Sequence, residues 1–191
     1  MVSQAVFRTL EHVWKTLKPL HVDMAVMGGI ALAVWEHLRG TQGIDVLIGL
    51  SGVEVDDLIE ALERAGFQAK RQAKIQPLGD IDLLQVRYEP PNLLMDIQVD
   101  LLIARSDYYQ QALDRAVSIK LPQVDLDARV VSVEDLILIK LLAGRIIDRV
   151  DIIALVKANR DSMDLGYLNG WSASLGVADE LASACEEAGE E

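Results

Sequence analysis

Residues 27–50 decide the fold of this chain, and they read MGGIALAVWEHLRGTQGIDVLIGL. The pair Gly28–Gly29 separates a short apolar segment from a run that is apolar nearly all round, a pattern typical of a strand, a tight turn and a buried helix. A polar turn follows, and residues 44–50 form a second hydrophobic segment that contains one carboxylate, Asp45. The stretch predicts a glycine turn that can cradle phosphate, followed by a strand with one embedded carboxylate.

The composition is that of an acidic globular protein. The 191 residues include 51% hydrophobic and 25% charged residues, and the length allows one ordinary domain with its own core. Because 18 Lys and Arg stand against 30 Asp and Glu, the net charge is −12, and we do not expect a basic surface that binds long duplex DNA. A nucleotide remains an acceptable substrate, since a divalent ion can screen its phosphates from acidic side chains.

The cysteine count and the hydropathy pattern indicate a reducing, aqueous compartment. The single cysteine, Cys185, excludes an intramolecular disulfide. The longest apolar runs, such as residues 93–103, are interrupted by acidic and amide side chains, so we expect no membrane span and no membrane partner. We predict a soluble, cytoplasmic protein.

Hydrophobic periodicity predicts interleaved helices and strands in the first two thirds of the chain and helices alone in the last third. The fold class that follows is α/β (α+β), a mixed β-sheet flanked by helices with a C-terminal helical extension. We divide the chain into residues 1–131 and an extension, residues 132–191, that packs on them. Residues 71–79 are interpreted as a polar loop. In the predicted helix 145–158, the residues expected to face the core are Ile146, Ile147, Val150, Ile153, Ala154 and Leu155.

A predicted hairpin at residues 81–88 and 93–103 carries an acidic pattern. Asp96, Gln98 and Asp100 alternate with apolar residues and therefore share one face of the second strand. This face is either a solvent-exposed surface of the sheet or part of a site. Nucleotidyl transfer uses this kind of pattern, because it needs phosphates held in line and neutralised by divalent ions on carboxylates.

The order of these motifs resembles that of polymerase-β-type nucleotidyltransferases. The blocks that carry the resemblance are residues 27–31 with 39–47, residues 99–102, and residues 132–151, which read SVEDLILIKLLAGRIIDRVD. In detail they are similar to the AbiEii-like and MNT-like small nucleotidyltransferases of bacterial toxin–antitoxin systems. The resemblance implies a nucleotidyltransferase fold, a nucleotide substrate and a protein partner of the toxin–antitoxin type.

The resemblance also implies roles for particular residues. Asp45 and Asp100 are the implied catalytic residues and metal ligands, with Mg²⁺ or Mn²⁺ as cofactor and an NTP as substrate. The implied nucleotide-binding residues are Gly28, Gly29, Arg39, Thr41 and Lys140. Two alternatives stay open from the residues themselves. The glycine pair can be a simple strand-to-helix turn, and Lys140 can be a partner of acidic helix residues.

One position departs from the pattern. The family strand reads Asp-x-Asp, whereas this chain has Gly43 two positions before Asp45. Because one charge and up to two oxygen ligands are lost, we expect a single ion on Asp45 and Asp100 rather than two. The first hypothesis is transfer of NMP from a metal-bound NTP to a hydroxyl of a protein, RNA or small molecule. The second is a catalytically degraded chain that serves as a nucleotide-binding or protein-interaction module, and the third is a structural domain without a nucleotide.

Overall fold

The computed structural model describes residues 2–37, 40–69, 75–91 and 95–189. In these ranges the helices are α1 (Gln4–Leu17), α2 (Gly28–Val34), α3 (Val55–Arg64), α4 (Asp107–Asp114), α5 (Val133–Ala143), α6 (Ile146–Asn159), α7 (Leu165–Ser174) and α8 (Ala178–Gly189). The strands are β1 (Asp23–Met27), β2 (Ile44–Gly49), β3 (Gln68–Ala69), β4 (Gln76–Leu78), β5 (Ile81–Tyr88), β6 (Ile97–Ala104), β7 (Val117–Leu121) and β8 (Leu126–Val130). A short 3₁₀ turn, Lys18–Leu20, follows α1.

The described strands form one mixed sheet in the order β3-β5-β6-β2-β1-β8-β7. The additional strand β4 pairs with the first three residues of β5. Strands β2 and β6 run parallel, as do β1 and β8, and the other pairs are antiparallel. The predicted α+β fold with a mixed sheet and a C-terminal run of helices is therefore confirmed. The division of the chain at residue 131 stays a prediction. No helix in the described part of the chain is long and apolar enough to cross a bilayer.

The centre of the sheet is buried because its sequence is apolar on both faces. Val46, Leu47 and Ile48 of β2 have no solvent exposure, since β2 lies between β1 and β6 in the middle of the sheet. Helix α1 begins at Ser3, whose hydroxyl accepts a hydrogen bond from the N–H of Val6, and it buries one stripe of apolar residues. The central strands therefore hold their side chains in a fixed register.

Helix α5 is buried on almost all sides, and its two ends are fixed by local chemistry. Ser132 caps its start by accepting a hydrogen bond from the N–H of Asp135 at 3.1 Å, while its own hydroxyl donates to that carboxylate at 2.7 Å. Gly144 ends the helix in a left-handed conformation with φ +61°. These two ends fix the helix that covers the candidate site.

The prediction for the core face of α6 is wrong in part. Ile146, Ile147 and Val150 are exposed, and Ile146 is 93% exposed. The helix instead buries a face that contains Asp148 and Asp151, because both carboxylates pair with the buried ammonium of Lys140. The predicted polar loop at residues 71–79 contains β4 at its end, a short strand whose three residues are all exposed. Residues 70–74 lie outside the described part of the chain.

Candidate active site

The sheet brings the two acidic residues of the site side by side. In the parallel pair of β2 and β6, Asp45 lies opposite Asp100, and Asp45 is opposite Met27 of β1. On the other side of Asp100, the antiparallel β5 places Gln85 at the same level. Since neighbouring strands are about 4.8 Å apart, these residues form one row across four strands. The register alone therefore makes a pair from two carboxylates that are 55 residues apart in the sequence.

The glycine turn that opens α2 lies directly against this row. Gly28 has φ +62°, and a Cβ atom built on it would lie 2.0 Å from Oδ2 of Asp45. The N–H of Gly29 hydrogen-bonds the Asp45 carboxylate. A Cβ atom on Gly29 would lie 2.5 Å from Cβ of Thr41, whose hydroxyl donates to the carbonyl oxygen of Gly43 at 3.1 Å. Neither glycine position has room for a side chain.

We expect Gly28→Ala to lower the free energy of unfolding by about 2 to 4 kcal/mol, because it adds the contact with Asp45 to an unfavourable positive φ. Gly176→Ala is the matched control. Gly176 has φ +72°, and a Cβ atom there would meet nothing within 4 Å, so only the backbone cost of about 1 kcal/mol should appear. Urea denaturation of both variants gives the comparison. Equal losses would contradict a close packing of Gly28 on Asp45.

The pKa of the Asp45 side chain is unusually high for a carboxyl group. Its pKa is raised from the ordinary 3.8 to about 6, mainly by burial and next by the negative charge of Asp100. The positive charges of Arg145 and Lys140 act in the opposite direction, as does the hydrogen bond from the backbone of Gly29. The carboxylate is thus held in a partly dry environment where a cation would be a favourable neighbour.

Asp100 is held by two glutamine amides. Nε2 of Gln85 donates to Oδ1 of Asp100 at 2.9 Å, and Nε2 of Gln98 donates to Oδ1 at 3.1 Å and to Oδ2 at 3.0 Å. Gln98 belongs to the predicted polar face of this strand, but no sequence pattern indicates that its amide binds Asp100. Gln85 was not predicted at all, because its position beside Asp100 depends on the register of the hairpin.

A buried ion-pair network closes the site on the side of α5 and α6. The ammonium of Lys140 donates to Asp148 at 2.9 Å and to Asp151 at 2.7 Å, and all three side chains are almost fully buried. The guanidinium of Arg145 donates to both oxygens of Asp148 at 2.6 and 3.0 Å. Nε2 of His37 lies 3.1 Å from Oδ1 of Asp151. Lys140 therefore has the acidic helix partners that one of the sequence-based alternatives expected.

The glycine turn, the two aspartates, Lys140 and Arg145 line a cavity of about 760 Å³ between the sheet and α5. Its polar lining includes Gly28, Gly29, Thr41, Asp45, Asp80, Asp100, Lys140 and Arg145. Its apolar lining includes Met27, Leu83, Leu102, Tyr109, Leu136, Ile139 and Leu175. A cavity of this size, largely apolar with a few convergent polar groups, is typical of a site for a small organic molecule.

Comparison with known proteins agrees with this geometry. A family model described as "Nucleotidyltransferase of unknown function (DUF6036)" matches residues 4–173. The chain belongs to this nucleotidyltransferase family. The polymerase-β-type superfamily predicted from the sequence is thereby confirmed, and the narrower likeness to toxin–antitoxin members stays a prediction. No match to the chain was found among curated proteins.

Solved structures show the same fold at low sequence identity. An antigenic nucleotidyltransferase-like protein from Paracoccidioides brasiliensis is 19% identical, with a TM-score of 0.54 over 97% of this chain and 94% of that chain. JHP933 from Helicobacter pylori is 18% identical, with a TM-score of 0.52 over 96% of this chain and 80% of that chain. At such identities the likeness concerns the fold alone.

In this chain the predicted site residues that the structure describes lie together. Gly28, Gly29, Thr41, Asp45, Asp100 and Lys140 all line the cavity. Arg39, the remaining predicted nucleotide-binding residue, lies outside the described residues. Asp96, in contrast, is half-exposed, and its carboxylate lies 3.9 Å from the guanidinium of Arg87. Asp96 is therefore a surface residue.

The donor set at this cavity fits one divalent ion. Asp45 and Asp100 offer carboxylate oxygens, the ligand type that Mg²⁺ and Mn²⁺ prefer, at the wall of a cavity that can supply water and substrate oxygens. Among the described residues no group of three or more His, Cys, Asp or Glu side chains is arranged to hold a metal ion. An ion held by Asp45 and Asp100 would have two protein ligands, because Gly43 has no side chain to add a third.

Proposed function

We propose that this chain transfers the NMP group of an NTP to a hydroxyl group of a protein, RNA or small molecule, with pyrophosphate as the leaving group. The observation that supports it most is the pairing of Asp45 with Asp100 at the wall of the cavity, with the Gly28–Gly29 turn packed on Asp45. The same observation supports Mg²⁺ or Mn²⁺ as the cofactor, held by these two aspartates. A bound ion would neutralise negative charge on the phosphates.

The residues around the carboxylates have separate tasks in this proposal. The glycine turn presents backbone without side chains to the cavity, so phosphate oxygens can approach closely. Arg145 and Lys140 contribute positive charge on the opposite wall, and their buried partners fix them in place before substrate arrives. An oxygen of the Asp45 carboxylate that the ion leaves free can accept the proton of the attacking hydroxyl.

A second function, nucleotide binding without transfer, is favoured by one specific observation. The position of the family's first carboxylate is occupied by Gly43, and both oxygens of Asp100 already accept amide hydrogen bonds. Loss of a ligand from the reacting centre costs several kcal/mol of transition-state stabilisation in general, and ground-state binding suffers less. The chain would then act as a nucleotide-binding or protein-interaction module.

Transfer and binding are separated by labelling. We propose incubating the chain with cell extract, Mg²⁺ and each of the four NTPs labelled on the α-phosphate, and resolving protein, RNA and small-molecule products. Transfer predicts a labelled product that Asp45→Ala removes and the surface control Asp96→Ala keeps. Mg²⁺-dependent nucleotide binding without any label that depends on Asp45 would favour the binding module. Absence of both would contradict each function.

The partner and the location belong to the same proposal. The net charge of −12 suits a basic protein as partner, and a partner of the toxin–antitoxin type is the one that the sequence resemblance implies. A cytoplasmic location stays a prediction. Co-purification of the chain with the product of the neighbouring reading frame at a fixed ratio is the expected result for a toxin–antitoxin pair. Failure of the two purified proteins to bind one another would contradict it.

A further inference from the structure

Gly43 and Gln98 are neighbours on the sheet. Because Ile44 pairs with Val99 and Asp45 with Asp100, Gly43 is level with Gln98 on the adjoining strand. Gln98 lies two residues before Asp100 on β6 and shares its face of the sheet, while Gly43 lies immediately before the first residue of β2. A Cβ atom built on Gly43 would lie 3.4 Å from the carbonyl oxygen of Gln98, an ordinary contact. A side chain at position 43 would therefore emerge next to Gln98.

The side-chain amide of Gln98 contacts both carboxylate oxygens of Asp100. An ionised carboxylate only accepts hydrogen bonds, so the amide must present its N–H groups to it, and Nε2 lies 3.1 and 3.0 Å from the two oxygens. Gln85 adds a third contact, to Oδ1. A carboxylate has about four lone-pair positions, so these three contacts leave about one, on Oδ2. Asp100 can thus give a metal ion one oxygen and cannot bind a second ion through Oδ1.

We propose that the amide of Gln98 stands where a second metal ion would bind Asp100, so that Gly43 and Gln98 together convert a two-ion site into a one-ion site. This inference rests on the proposed nucleotidyltransferase function. The charge of the site stays close to balanced relative to the family's Asp-x-Asp pattern. The carboxylate that is absent at position 43 would have offset part of the charge of the absent cation. The neutral amide supplies the electropositive partner that Asp100 still needs.

A single reversion therefore does not restore the second ion. Gly43→Asp adds a carboxylate beside Asp45 and Asp100, but the N–H groups of Gln98 still cover the face of Asp100 that the ion must use. Gln98→Met keeps the length of the side chain and removes both N–H donors. We expect the second ion only when the two substitutions are combined, which is a non-additive effect of neighbouring residues.

The test counts Mn²⁺ ions bound per chain by electron paramagnetic resonance of the free ion, with Mn²⁺ alone as the probe. Surface binding to this acidic chain is subtracted with the Asp45→Asn/Asp100→Asn variant. We expect one ion on the wild-type chain, one on Gly43→Asp, one on Gln98→Met and two on the combined variant. Two ions about 3.5 to 4 Å apart also broaden each other's spectrum, a readout that a purely structural role of Gln98 would not change.

The control combines Gly43→Asp with Gln68→Met, which removes an exposed strand amide far from Asp100 in the sequence and should leave one ion. Thermal unfolding by circular dichroism verifies that each variant is folded. Two ions on Gly43→Asp alone, or one on the combined folded variant, would overturn the role of Gln98 and leave the proposed function standing. A wild-type chain that binds no ion would overturn the proposed metal site and this inference together.

Discussion

Asp45→Asn is expected to raise the free energy of unfolding at pH 7 by about 1 to 3 kcal/mol, even though it removes a residue of the proposed site. The reason is the pKa of Asp45, raised from 3.8 to about 6 by burial and by the charge of Asp100. At neutral pH the folded chain must hold an ionised carboxylate in an unfavourable place. Asparagine has nearly the same shape and carries no charge, so it avoids that cost.

The pH dependence of the effect has a defined sign. Between pH 3.8 and 6 the folded chain binds more protons at Asp45 than the unfolded chain, so the stability of the wild type falls as the pH rises through this window. The advantage of Asp45→Asn should therefore be complete above pH 6 and vanish near pH 4. Urea denaturation at pH 4, 5, 6 and 7 measures it. An advantage that is the same at every pH would contradict this origin.

Two comparisons separate the metal site from a general charge effect. Asp96→Asn removes a half-exposed surface carboxylate and should change stability by less than about 0.5 kcal/mol. Addition of Mg²⁺ should stabilise the wild type and not Asp45→Asn, because a ligand stabilises only the chain that binds it. The difference between the two chains should thus shrink as Mg²⁺ is added. A gain of equal size in both would place ion binding elsewhere on the acidic surface.

Lys140→Met is expected to lower the free energy of unfolding by about 3 to 5 kcal/mol. The ammonium of Lys140 is the shared partner of Asp148 and Asp151, and both carboxylates are almost fully buried. Burial raises the pKa of Asp148, but hydrogen bonds from Arg145 and Lys140 outweigh it and hold that pKa below its ordinary value. Removal of the lysine leaves two buried carboxylates without its positive charge. Their uncompensated negative charge costs more free energy than the loss of a surface ion pair.

The matched control is Lys15→Met, which breaks an exposed pair with Glu11 one turn away on α1 and should cost less than about 0.5 kcal/mol. Adding Asp148→Asn to Lys140→Met should recover part of the loss, since one of the stranded charges is removed. Urea denaturation of the three variants gives the values. A loss below 1 kcal/mol for Lys140→Met would show that the network contributes little to the fold.

The elements of the site that the sequence predicted depend on local patterns. A glycine pair before an apolar run predicts the turn, and alternation in residues 97–104 puts Asp100 on the polar face of its strand. The apolar run around position 45 predicts strand β2, and the role of Asp45 is implied by the family resemblance. Each of these signals lies within about ten residues of chain, and each was read correctly as local structure.

The features that the sequence did not predict depend on partners far along the chain. Gln85 holds Asp100 only because the register of the β5–β6 hairpin brings its amide to that carboxylate. On α6 the apolar pattern favoured Ile146 and Val150 as core residues, but pairing with Lys140 buries the acidic side of the helix instead. Periodicity ranks residues by hydropathy, so it cannot foresee a buried charge whose partner lies on another helix.

The most direct measurement is a calorimetric titration of the wild-type chain and Asp45→Asn with a non-hydrolysable ATP analogue, with and without Mg²⁺, at pH 7.5. If Asp45 and Asp100 hold a metal ion that carries the nucleotide, the wild type binds the analogue in Mg²⁺ at least tenfold more tightly than Asp45→Asn, a difference of about 1.4 kcal/mol or more. Without Mg²⁺ that advantage should disappear. Equal affinity of the two chains in Mg²⁺, or no binding by either, would contradict a nucleotide site at these aspartates.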